Sequence, residues 1–349
     1  MELKKLFRVV IPIAIVALLG GCNVVDEFSS DKKEEAREKI KKKFSGVITD
    51  LQTLKINDVT FDRENAKIYV NGKEVDYSDL KLGMVVTVTG TETGTKREAI
   101  SIEYDQQLQG VVVSNSFGVD GTLDIMGQTV YVNSDTVIDS DNGTVVDINS
   151  VPPDYIVEVS GYASGNGEFW ATRLEFKLAS ADDEDWEVEG EIQSSYEGGF
   201  MIGTLNIVYD TTKFSQLMPQ LVDGAYVEVE SYNDDLTDGE LTADEIEIKH
   251  SSGKTFDYDE DDQELEIEGI VTAIVSETEV EINGTTVLLD QLNSTVNLSV
   301  GDKVEAEIEV DDSGNFYAIE LEIEDDDAQD DNDEDDDEDS DDDDDDSDS

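Results

Sequence analysis

Three short sequence landmarks recur in the same order four times along the chain, and this repetition constrains the fold more than any other feature. Each unit opens with a glycine block, carries a second block in its middle and closes with an alanine followed by a glutamate-containing block. The opening blocks are Ser45-Gly46-Val47-Ile48, Gln109-Gly110-Val111-Val112, Glu189-Gly190-Glu191-Ile192 and Glu268-Gly269-Ile270-Val271. Repetition at a fixed spacing indicates tandem copies of one structural unit.

Repeat four displays the strand pattern of the unit most clearly. Glu266 to Val275 alternates apolar and polar residues, which is typical of a half-buried strand. Asn283-Gly284 predicts a tight hairpin turn, and repeat one has the same pair at Asn71-Gly72. Five short strands in a unit of about 55 to 70 residues fit a small closed barrel, which leaves few exposed strand edges. The predicted fold class is therefore all-β, with four tandem small five-stranded OB-like β-barrel repeats.

The landmarks and the changes in composition between them predict the organisation of the whole chain. The predicted segments are a signal peptide at 1–21, a charged spacer at 22–43, repeat one at 44–105, repeat two at 106–178, repeat three with an acidic lead-in at 179–249, an acidic linker at 250–264, repeat four at 265–324 and an acidic tail at 325–349. Within the spacer, Glu and Lys or Arg residues three or four positions apart predict a solvated helix over Asp31 to Lys43. The tail is almost entirely Asp, Glu and Ser, and we expect it to be disordered because it cannot bury apolar surface.

The three landmarks resemble the uncharacterised bacterial family called domain of unknown function 5666. The shared pattern is G-x-[IV] at the start, [VL]-G-[DM]-x-V-x-V in the middle and A-x-x-[IL]-E at the end, and repeats one and four carry it best. Repeat two departs from it at Pro153-Asp154, and repeat three is shifted by one residue at Asp223-Gly224. The resemblance covers most of residues 44–324. It implies tandem OB-like units in an exported protein and brings no assigned activity.

The N-terminus carries the features of an export signal. Lys4, Lys5 and Arg8 precede an apolar run at 9–19, which is shorter than the about 20 residues of a membrane-spanning helix. The run ends at Leu19-Gly20-Gly21-Cys22, which resembles the lipobox of bacterial lipoproteins. The resemblance implies cleavage before Cys22 and acylation of that residue, as in palmitate-labelled lipoproteins. The alternatives are an ordinary signal peptide followed by a stray cysteine, or an uncleaved anchor.

Two further expectations follow from this terminus. Cys22 is the only cysteine, so no disulfide can form within the chain and packing must hold the repeats together. Residue 23 is Asn, whereas an Asp there resembles a signal for retention in the inner membrane of Gram-negative bacteria. In such a bacterium we expect Asn23 to favour the outer membrane.

The charge of the chain limits its partners. It carries 87 acidic and 23 basic residues, a formal charge of −64. Such a chain repels phosphate backbones and anionic headgroups, so nucleic acid is not an expected partner, and the lipid is the expected route of attachment to the membrane. The acidic tail is interpreted as a solubility feature suited to high salt, with a low-affinity store of divalent cations as the alternative.

Few residues in the sequence suit catalysis. His250 is the only histidine and lies in the linker without candidate partners, so a catalytic triad or a histidine metal site is not expected. No glycine-rich phosphate loop is present. Paired carboxylates, as in glycosidases, are the remaining enzymatic alternative, and with so many acidic residues such pairs arise by chance. We therefore expect no enzyme activity, and a carboxylate-based hydrolase is the least favoured alternative.

Calcium is the one cofactor that the sequence leaves open. Asp257, Asp259 and Asp261 alternate along the linker, and Glu268 occupies the twelfth position counted from Asp257, as in an EF-hand loop. The sixth position is Asp262, whereas an EF-hand requires glycine there, and the flanking segments are predicted strands. The segment is therefore interpreted first as a charged linker and second as a weak calcium site.

Aromatic residues before the closing strands allow two interpretations. Phe169, Trp170, Phe316 and Tyr317 occupy related positions, where they could stack on the sugar rings of a glycan or fill the interior of a barrel; interior packing is favoured. A second aligned position also predicts packing, and its residues are Tyr104, Phe176, Ile248 and Ile323.

Together these observations predict a membrane-anchored exported lipoprotein of the cell envelope whose repeats form a non-enzymatic binding or spacer array. The alternative is a surface protein that binds calcium or a glycan. A protein partner in the envelope is also possible.

Overall fold

The computed structural model describes residues 40–57, 59–93, 95–140, 147–151, 155–164, 166–178, 185–232, 236, 239–249, 264–293, 296–311 and 315–324. The chain divides into two compact units, Met1–Glu38 and Lys39–Ser349. The first unit lies outside the described residues, and the second contains all four repeats. No helix among the described residues is long and apolar enough to cross a membrane.

Repeat one contains seven strands. They are β1 (Ile40–Asp50), β2 (Lys55–Ile56), β3 (Val59–Asp62), β4 (Lys67–Val70), β5 (Lys73–Val75), β6 (Val85–Thr93) and β7 (Lys96–Tyr104). The pairings run from β1 to β2, β3, β7 and β6 and return from β6 to β1, with β3 parallel to β7. The hairpin of β4 and β5 is added alongside β7.

Repeat two contains six strands in a related order. They are β8 (Leu108–Asn115), β9 (Thr122–Ile125), β10 (Gln128–Tyr131), β11 (Val137–Ser140), β12 (Tyr155–Ala163) and β13 (Glu168–Leu178). The pairings run from β8 to β9, β10, β13 and β12 and return to β8. Strand β11 pairs in parallel with β13, beyond the part of β13 that pairs with β10.

Repeat three follows the same order with two of its strands interrupted. Its strands are β14 (Trp186–Glu191), β15 (Gln193–Tyr196), β16 (Gly199–Ile202), β17 (Leu205–Val208), β18 (Tyr226–Ser231), β19 (Glu240–Thr242) and β20 (Glu245–Ile248). Strands β14 and β15 are separated only by Ile192, and β19 and β20 only by Ala243 and Asp244. β15, β16, β17 and β19 form one set of pairings, and β14, β18 and β20 form the other.

Repeat four contains the five strands that the sequence predicts. They are β21 (Glu264–Ser276), β22 (Glu279–Ile282), β23 (Thr285–Leu288), β24 (Lys303–Val310) and β25 (Phe316–Ile323). The pairings run from β21 to β22, β23, β25 and β24 and return to β21. The prediction of an all-β chain of tandem repeats is confirmed, and repeats one and two add strands to the five that all units share.

Helical structure is short in the described part of the chain. One α-helical turn, α1 (Phe117–Asp120), and three 3₁₀ turns connect strands; the 3₁₀ turns are Tyr77–Asp79, Ile148–Ser150 and Met218–Gln220. The helix predicted over Asp31 to Lys43 is wrong at its C-terminal end, because Ile40 to Lys43 form the start of β1. These residues pair with β6, and pairing to a neighbouring strand prevails over local helix propensity.

The glycines of the opening landmark have a packing role. A side-chain carbon at Gly269 would lie 2.5 Å from the amide of Asn283, the first residue of the predicted Asn-Gly turn. The Asn283 amide folds over this glycine, and its Oδ1 accepts a hydrogen bond from the backbone N–H of Ile270 at 2.8 Å. Gly46 and Asn57 repeat the arrangement in repeat one, where Asn57 Oδ1 accepts from Val47 N at 2.7 Å. The landmark therefore fixes a turn against the first strand.

The buried apolar side chains form three clusters. Repeat one and repeat four each have a separate cluster, whereas repeats two and three share one that extends from Leu108 to Ile246. Two backbone ladders also join the repeats. β1 runs parallel to β21 with Lys43 opposite Leu265, and β8 runs antiparallel to β14 with Leu108 opposite Val188. Repeat one is thus bonded to repeat four, and repeat two to repeat three.

Candidate functional site

One polar residue from each of the three landmarks lies in a single row across every repeat, which we call the polar row. In each row, the strand register places the residue before the opening glycine opposite a residue of the fourth shared strand. On its other side, that residue of the fourth strand lies opposite the glutamate of the closing landmark. The four rows are Ser45–Thr87–Glu103, Gln109–Glu158–Glu175, Glu189–Glu228–Glu247 and Glu268–Glu305–Glu322. Three adjacent glutamates repel one another unless a cation or a proton neutralises them.

Lysines neutralise the rows of repeats three and four. Lys249 Nζ contacts the Glu228 carboxylate and lies 3.9 Å from Glu189 Oε1. Lys303 Nζ lies 2.9 Å from Glu268 Oε1 and 2.7 Å from Glu324 Oε2. Burial raises the pKa of Glu268 to about 7, although the Lys303 ammonium acts in the opposite direction. Each lysine is thus shared between carboxylates.

Two glutamates between repeats two and three are held differently. Glu187 Oε2 accepts a hydrogen bond from Gln106 Nε2 at 2.8 Å, and Glu189 Oε2 accepts one from Gln107 Nε2 at 3.4 Å. Burial, together with the charge of Glu228, raises the pKa of Glu187 to about 9. Burial raises the pKa of Glu189 to about 8, against the opposing effect of Lys249. Glu187 is therefore largely protonated at neutral pH, whereas the Lys249 ammonium opposes protonation of Glu189.

Two buried tyrosines connect a repeat to the polar row of another. The Tyr104 hydroxyl donates to Glu158 Oε1 at 3.0 Å, and the Tyr162 hydroxyl donates to Glu268 Oε1 at 3.0 Å. Burial raises the pKa of both phenols well above the usual value, so both remain donors over the physiological range. The polar rows are therefore part of the contacts between repeats as well as of the sheets.

A cavity of about 580 Å³ lies where repeats one, two and four meet, and we call it the one-two-four cavity. Its lining combines apolar, aromatic and charged groups, among them Leu82, Tyr162, Trp170, Glu268, Lys303 and Ile323. Leu82 and Ile323 are 42% and 37% exposed, so the cavity presents apolar surface to solvent. The indole of Trp170 is stacked on Tyr131, with ring centroids 5.1 Å apart.

A second cavity, of about 410 Å³, lies where repeats one, two and three meet, and we call it the one-two-three cavity. Its lining is more polar and includes Thr87, Glu103, Glu189, Tyr226, Glu247 and Lys249. Members of the polar rows of repeats one and three thus face the same space.

The predicted metal ligands fall partly outside the part of the chain that the structure describes. Asp257, Asp259 and Asp261 lie outside the described residues, as does Cys22. Glu268 is 1% exposed on β21 and is already engaged by Lys303 and Tyr162, so it does not offer an open carboxylate to a calcium ion. In the part of the chain that the structure describes, no group of three acidic, histidine or cysteine side chains could hold a metal ion.

The aromatic residues divide between the two interpretations. Phe169 and Phe316 are buried in the apolar clusters, as interior packing predicts. Trp170 and Tyr317 are only partly buried, because side chains alternate across a strand, and Trp170 lines the one-two-four cavity. At the second aligned position, Tyr104 and Phe176 are buried and Ile248 is partly buried, as the prediction of packing requires. The same prediction is wrong for Ile323, which is 37% exposed and lines the one-two-four cavity.

Sequence reasoning missed the polar row, although each landmark carries a signal for it. The signal is a polar residue at a fixed place in every landmark, such as Glu189, Glu228 and Glu247 in repeat three. The three positions are far apart in sequence, and only the strand register brings them side by side.

The comparisons with known proteins agree with the repeat architecture. The family model described as Domain of unknown function (DUF5666) matches residues 109–175, 189–247 and 267–322, which together are more than half of the chain. These ranges fall in repeats two, three and four. Repeat one carries the sequence landmarks clearly, yet it lies outside the matched residues; it shares the strand order of the others. No curated protein matches the chain in sequence. The strand order common to the repeats and the three tandem matches place this chain in the family of the Domain of unknown function (DUF5666).

Proposed function

We propose that this protein is an exported, lipid-anchored, non-enzymatic binding protein whose ligand occupies the one-two-four cavity. The observation that carries the proposal is the cavity itself, which has about 580 Å³ of space and a mixed apolar and polar lining. Binding sites for small molecules occupy about 300–1,000 Å³, are lined mainly by apolar and aromatic groups, and contain a few polar groups that orient the ligand. Trp170 supplies an aromatic group, and Asp302 and Lys303 supply charged ones.

The ladder between repeats one and four favours a binding body over a spacer array. Residues 43–45 of β1 pair with residues 265–267 of β21, so the first and last repeats are bonded to each other. A spacer gains length only if its first and last units stay apart. Residues from three repeats line the cavity, and none of those repeats alone provides the whole lining.

Trp170, which is partly exposed, favours a glycan as the ligand class. Trp170 is held by its stack on Tyr131, and amide and carboxylate groups at the cavity, including Asn133, Asp135 and Asp302, can bond sugar hydroxyls. The test is a glycan array probed with the full chain, followed by calorimetric titration of any sugar retained. An array without binding contradicts the glycan assignment.

A matched pair of variants makes this test specific to the cavity. Trp170→Ala is expected to weaken binding at least tenfold, because an aromatic anchor contributes about 2 kcal/mol or more. Tyr317→Ala removes the partly buried aromatic side chain at the related position of repeat four, which does not line the cavity, and should leave affinity within twofold. Equal losses from both variants would contradict the assignment of this cavity.

Calcium binding is a second candidate, carried by the alternating aspartates of the linker. Calorimetric titration of the full chain with calcium, compared with the triple variant Asp257→Asn, Asp259→Asn, Asp261→Asn, tests it. Loss of a saturable component in the variant supports a linker site. Unchanged binding assigns the calcium to the other acidic residues.

The lipid anchor rests on Leu19-Gly20-Gly21-Cys22 and on the absence of any other cysteine. A single acyl chain binds membranes only marginally, whereas two or more anchor a protein stably. Cys22→Ala is expected to abolish both labelling with palmitate and the lipoprotein type of cleavage. Continued labelling of that variant contradicts the anchor. The absence of enzyme activity is supported by the isolation of His250, the only histidine of the chain.

A further inference from the structure

The one-two-three cavity differs in chemistry from the cavity assigned to the proposed function. Its lining carries the carboxylates of Glu103, Asp105, Glu189 and Glu247, and Lys249 is its one basic lining residue. The lining therefore has an excess of acidic side chains in a space of about 410 Å³. A net negative cavity in a chain of formal charge −64 attracts cations.

The placement of these acids does not suit a single metal ion. Calcium takes six to eight oxygen ligands at about 2.3–2.6 Å, which requires carboxylates converging on one point. Among the described residues no three acidic side chains converge in this way. The carboxylates instead come from repeats one and three. A cation with several separated charges matches such a lining better than a point charge does.

Lys249 shows how the glutamates at this cavity contact an ammonium group. Its Nζ contacts Glu228 and lies 3.9 Å from Glu189 and 3.8 Å from Glu247, so one amino group is shared by three carboxylates. Glu103 belongs to the polar row of repeat one, and repeat one contributes no lysine or arginine to the lining. Repeat one thus adds acidic groups of the same kind to the cavity.

The buried hydroxyl of Tyr226 gives independent support for a ligand-binding site in the one-two-three cavity. Tyr226 lines the cavity and is 4% exposed, and its hydroxyl has no hydrogen-bond partner among the described residues. Tyr104 and Tyr162 are buried to a similar extent, and each donates its hydroxyl to a glutamate. Buried hydroxyl groups are normally paired, because leaving one without a hydrogen-bond partner is unfavourable. The phenol oxygen of Tyr226 can accept a hydrogen bond from an ammonium group.

We propose that the one-two-three cavity binds a small oligoamine, whose protonated amino groups pair with Glu103 and Glu247 and donate to the hydroxyl oxygen of Tyr226. The site lies outside the one-two-four cavity, so it is additional to the proposed function. Flexible amines can adjust the spacing of their charges to carboxylates that cannot converge on one ion. Binding orders residues from three repeats around one molecule.

Spermidine titrated into the full chain in detergent, at about 150 mM salt to screen exposed charge, tests the proposal. Calorimetry should give a saturable component above the weak background from the acidic tail. Tyr226→Phe keeps the ring and removes only the hydroxyl, and it should weaken that component about tenfold, since hydrogen bonds to charged groups are worth about 1.5–3 kcal/mol. Glu103→Gln with Glu247→Gln should weaken it further.

The control is the pair Glu320→Gln with Glu322→Gln, which removes the same charge from a groove between repeats one and four. It should leave the saturable component within twofold of the wild type. Tyrosine labelled with carbon-13 adds a local measurement, because the Tyr226 ring signal should shift in step with saturation. Equal weakening by the two glutamine pairs, wild-type affinity of Tyr226→Phe, or saturation without a shift at Tyr226 would overturn the proposal.

Discussion

Repeats one and four are joined by a backbone ladder, and so are repeats two and three, but the two junctions neutralise their glutamates differently. At the first junction, Arg97 Nη2 lies 3.7 Å from Glu266, and Lys42 Nζ lies 3.2 Å from Glu307. At the second, Glu187 and Glu189 accept hydrogen bonds from glutamine side chains. Cations contact both glutamates at the first junction, whereas at the second Glu187 is held by an amide and only Glu189 lies near a cation, Lys249.

The apolar packing also differs between the two junctions. Repeats two and three share one apolar cluster, whereas repeats one and four keep separate clusters on either side of their ladder. A shared core lowers the local dielectric constant, and this favours the neutral form of a carboxyl group. Separate cores leave room for charged side chains between them. Burial raises the pKa of Glu266 at the first junction as well, but there the Arg97 guanidinium opposes the effect, whereas the charge of Glu228 adds to it at Glu187. The comparison teaches that the charge beside a buried glutamate distinguishes the two junctions.

The largest expected effect is a steric one at the two-three junction. A side-chain carbon at Gly127 would lie 2.6 Å from the backbone nitrogen of Leu205, and Gly127 has a φ of +77°. Gly127→Ala should lower the free energy of unfolding by about 2–4 kcal/mol, since strain from φ adds to overpacking. Denaturant unfolding measures this.

Gly72→Ala is the matched control for that variant. Gly72 has a similar φ of +68°, and nothing lies within 4 Å of the added carbon. It should cost only about 1 kcal/mol from φ alone. If the two variants lose equal stability, the close contact between repeats two and three is not what makes the difference.

The next effect tests the cation at the one-four junction. Arg97→Met keeps much of the side-chain length and leaves Glu266 without that guanidinium, and the loss should be about 1–2 kcal/mol because both groups are partly exposed. Hydrogen exchange should increase at residues 43–45 and 265–267. Protection unchanged at this ladder contradicts a role for Arg97 in the junction.

A smaller effect of opposite sign is expected at the two-three junction. The pKa of Glu187 is about 9 in the folded chain, above the about 4.3 of an unfolded glutamate, so the folded state binds more protons between these values. Stability from this group is fully present below about pH 4 and is lost as the pH rises toward 9. Glu187→Gln should therefore stabilise the chain by about 1 kcal/mol or more at pH 8 and have little effect near pH 4.

Measuring unfolding at both pH values separates this effect from others, and Glu197→Gln, at an exposed position, is the control. A difference between the Glu187 variant and the wild type that does not change with pH would contradict the bound proton. The junction between repeats one and four should show no comparable gain at high pH when Glu307, which pairs with Lys42, is changed to Gln.

The smallest effect is expected at an exposed ion pair away from both junctions. Lys67 and Glu74 lie 3.2 Å apart, and both side chains are 61% exposed. Lys67→Met should leave the midpoint of denaturant unfolding unchanged, because an exposed ion pair contributes little to stability. A loss as large as that of Arg97→Met would show that location at a junction does not set the strength of an ion pair in this chain.

The strands could be predicted because their signals are local. Alternation in repeat four predicts a strand over Glu266 to Val275, which lies within β21, and the turns at Asn71-Gly72 and Asn283-Gly284 have the positive φ angles that such hairpins need. The turn at Met126-Gly127 adopts the same backbone with a residue that gives no such signal. Contacts between repeats could not be predicted, because they depend on which strands meet in space.

The candidate sites illustrate the same limit. Trp170 could be recognised as a candidate for ligand contact, but its partner Tyr131 and the residues across the cavity come from other strands and repeats. Nothing in the sequence distinguishes Tyr226 from Tyr104 and Tyr162. The difference is that the Tyr226 hydroxyl has no hydrogen-bond partner among the described residues. Chemistry that depends on what is missing around a side chain can be found only once its surroundings are known.

The ladder between β1 and β21 sets an order for folding. Lys43 and Leu265 are more than two hundred residues apart, and closing so long a loop is slow. Until β21 is available, residues 43–45 present an unpaired strand edge, which is a site for aggregation between chains. A chain released without its fourth repeat would keep that edge, so the last repeat to be synthesised protects the first strand of the body.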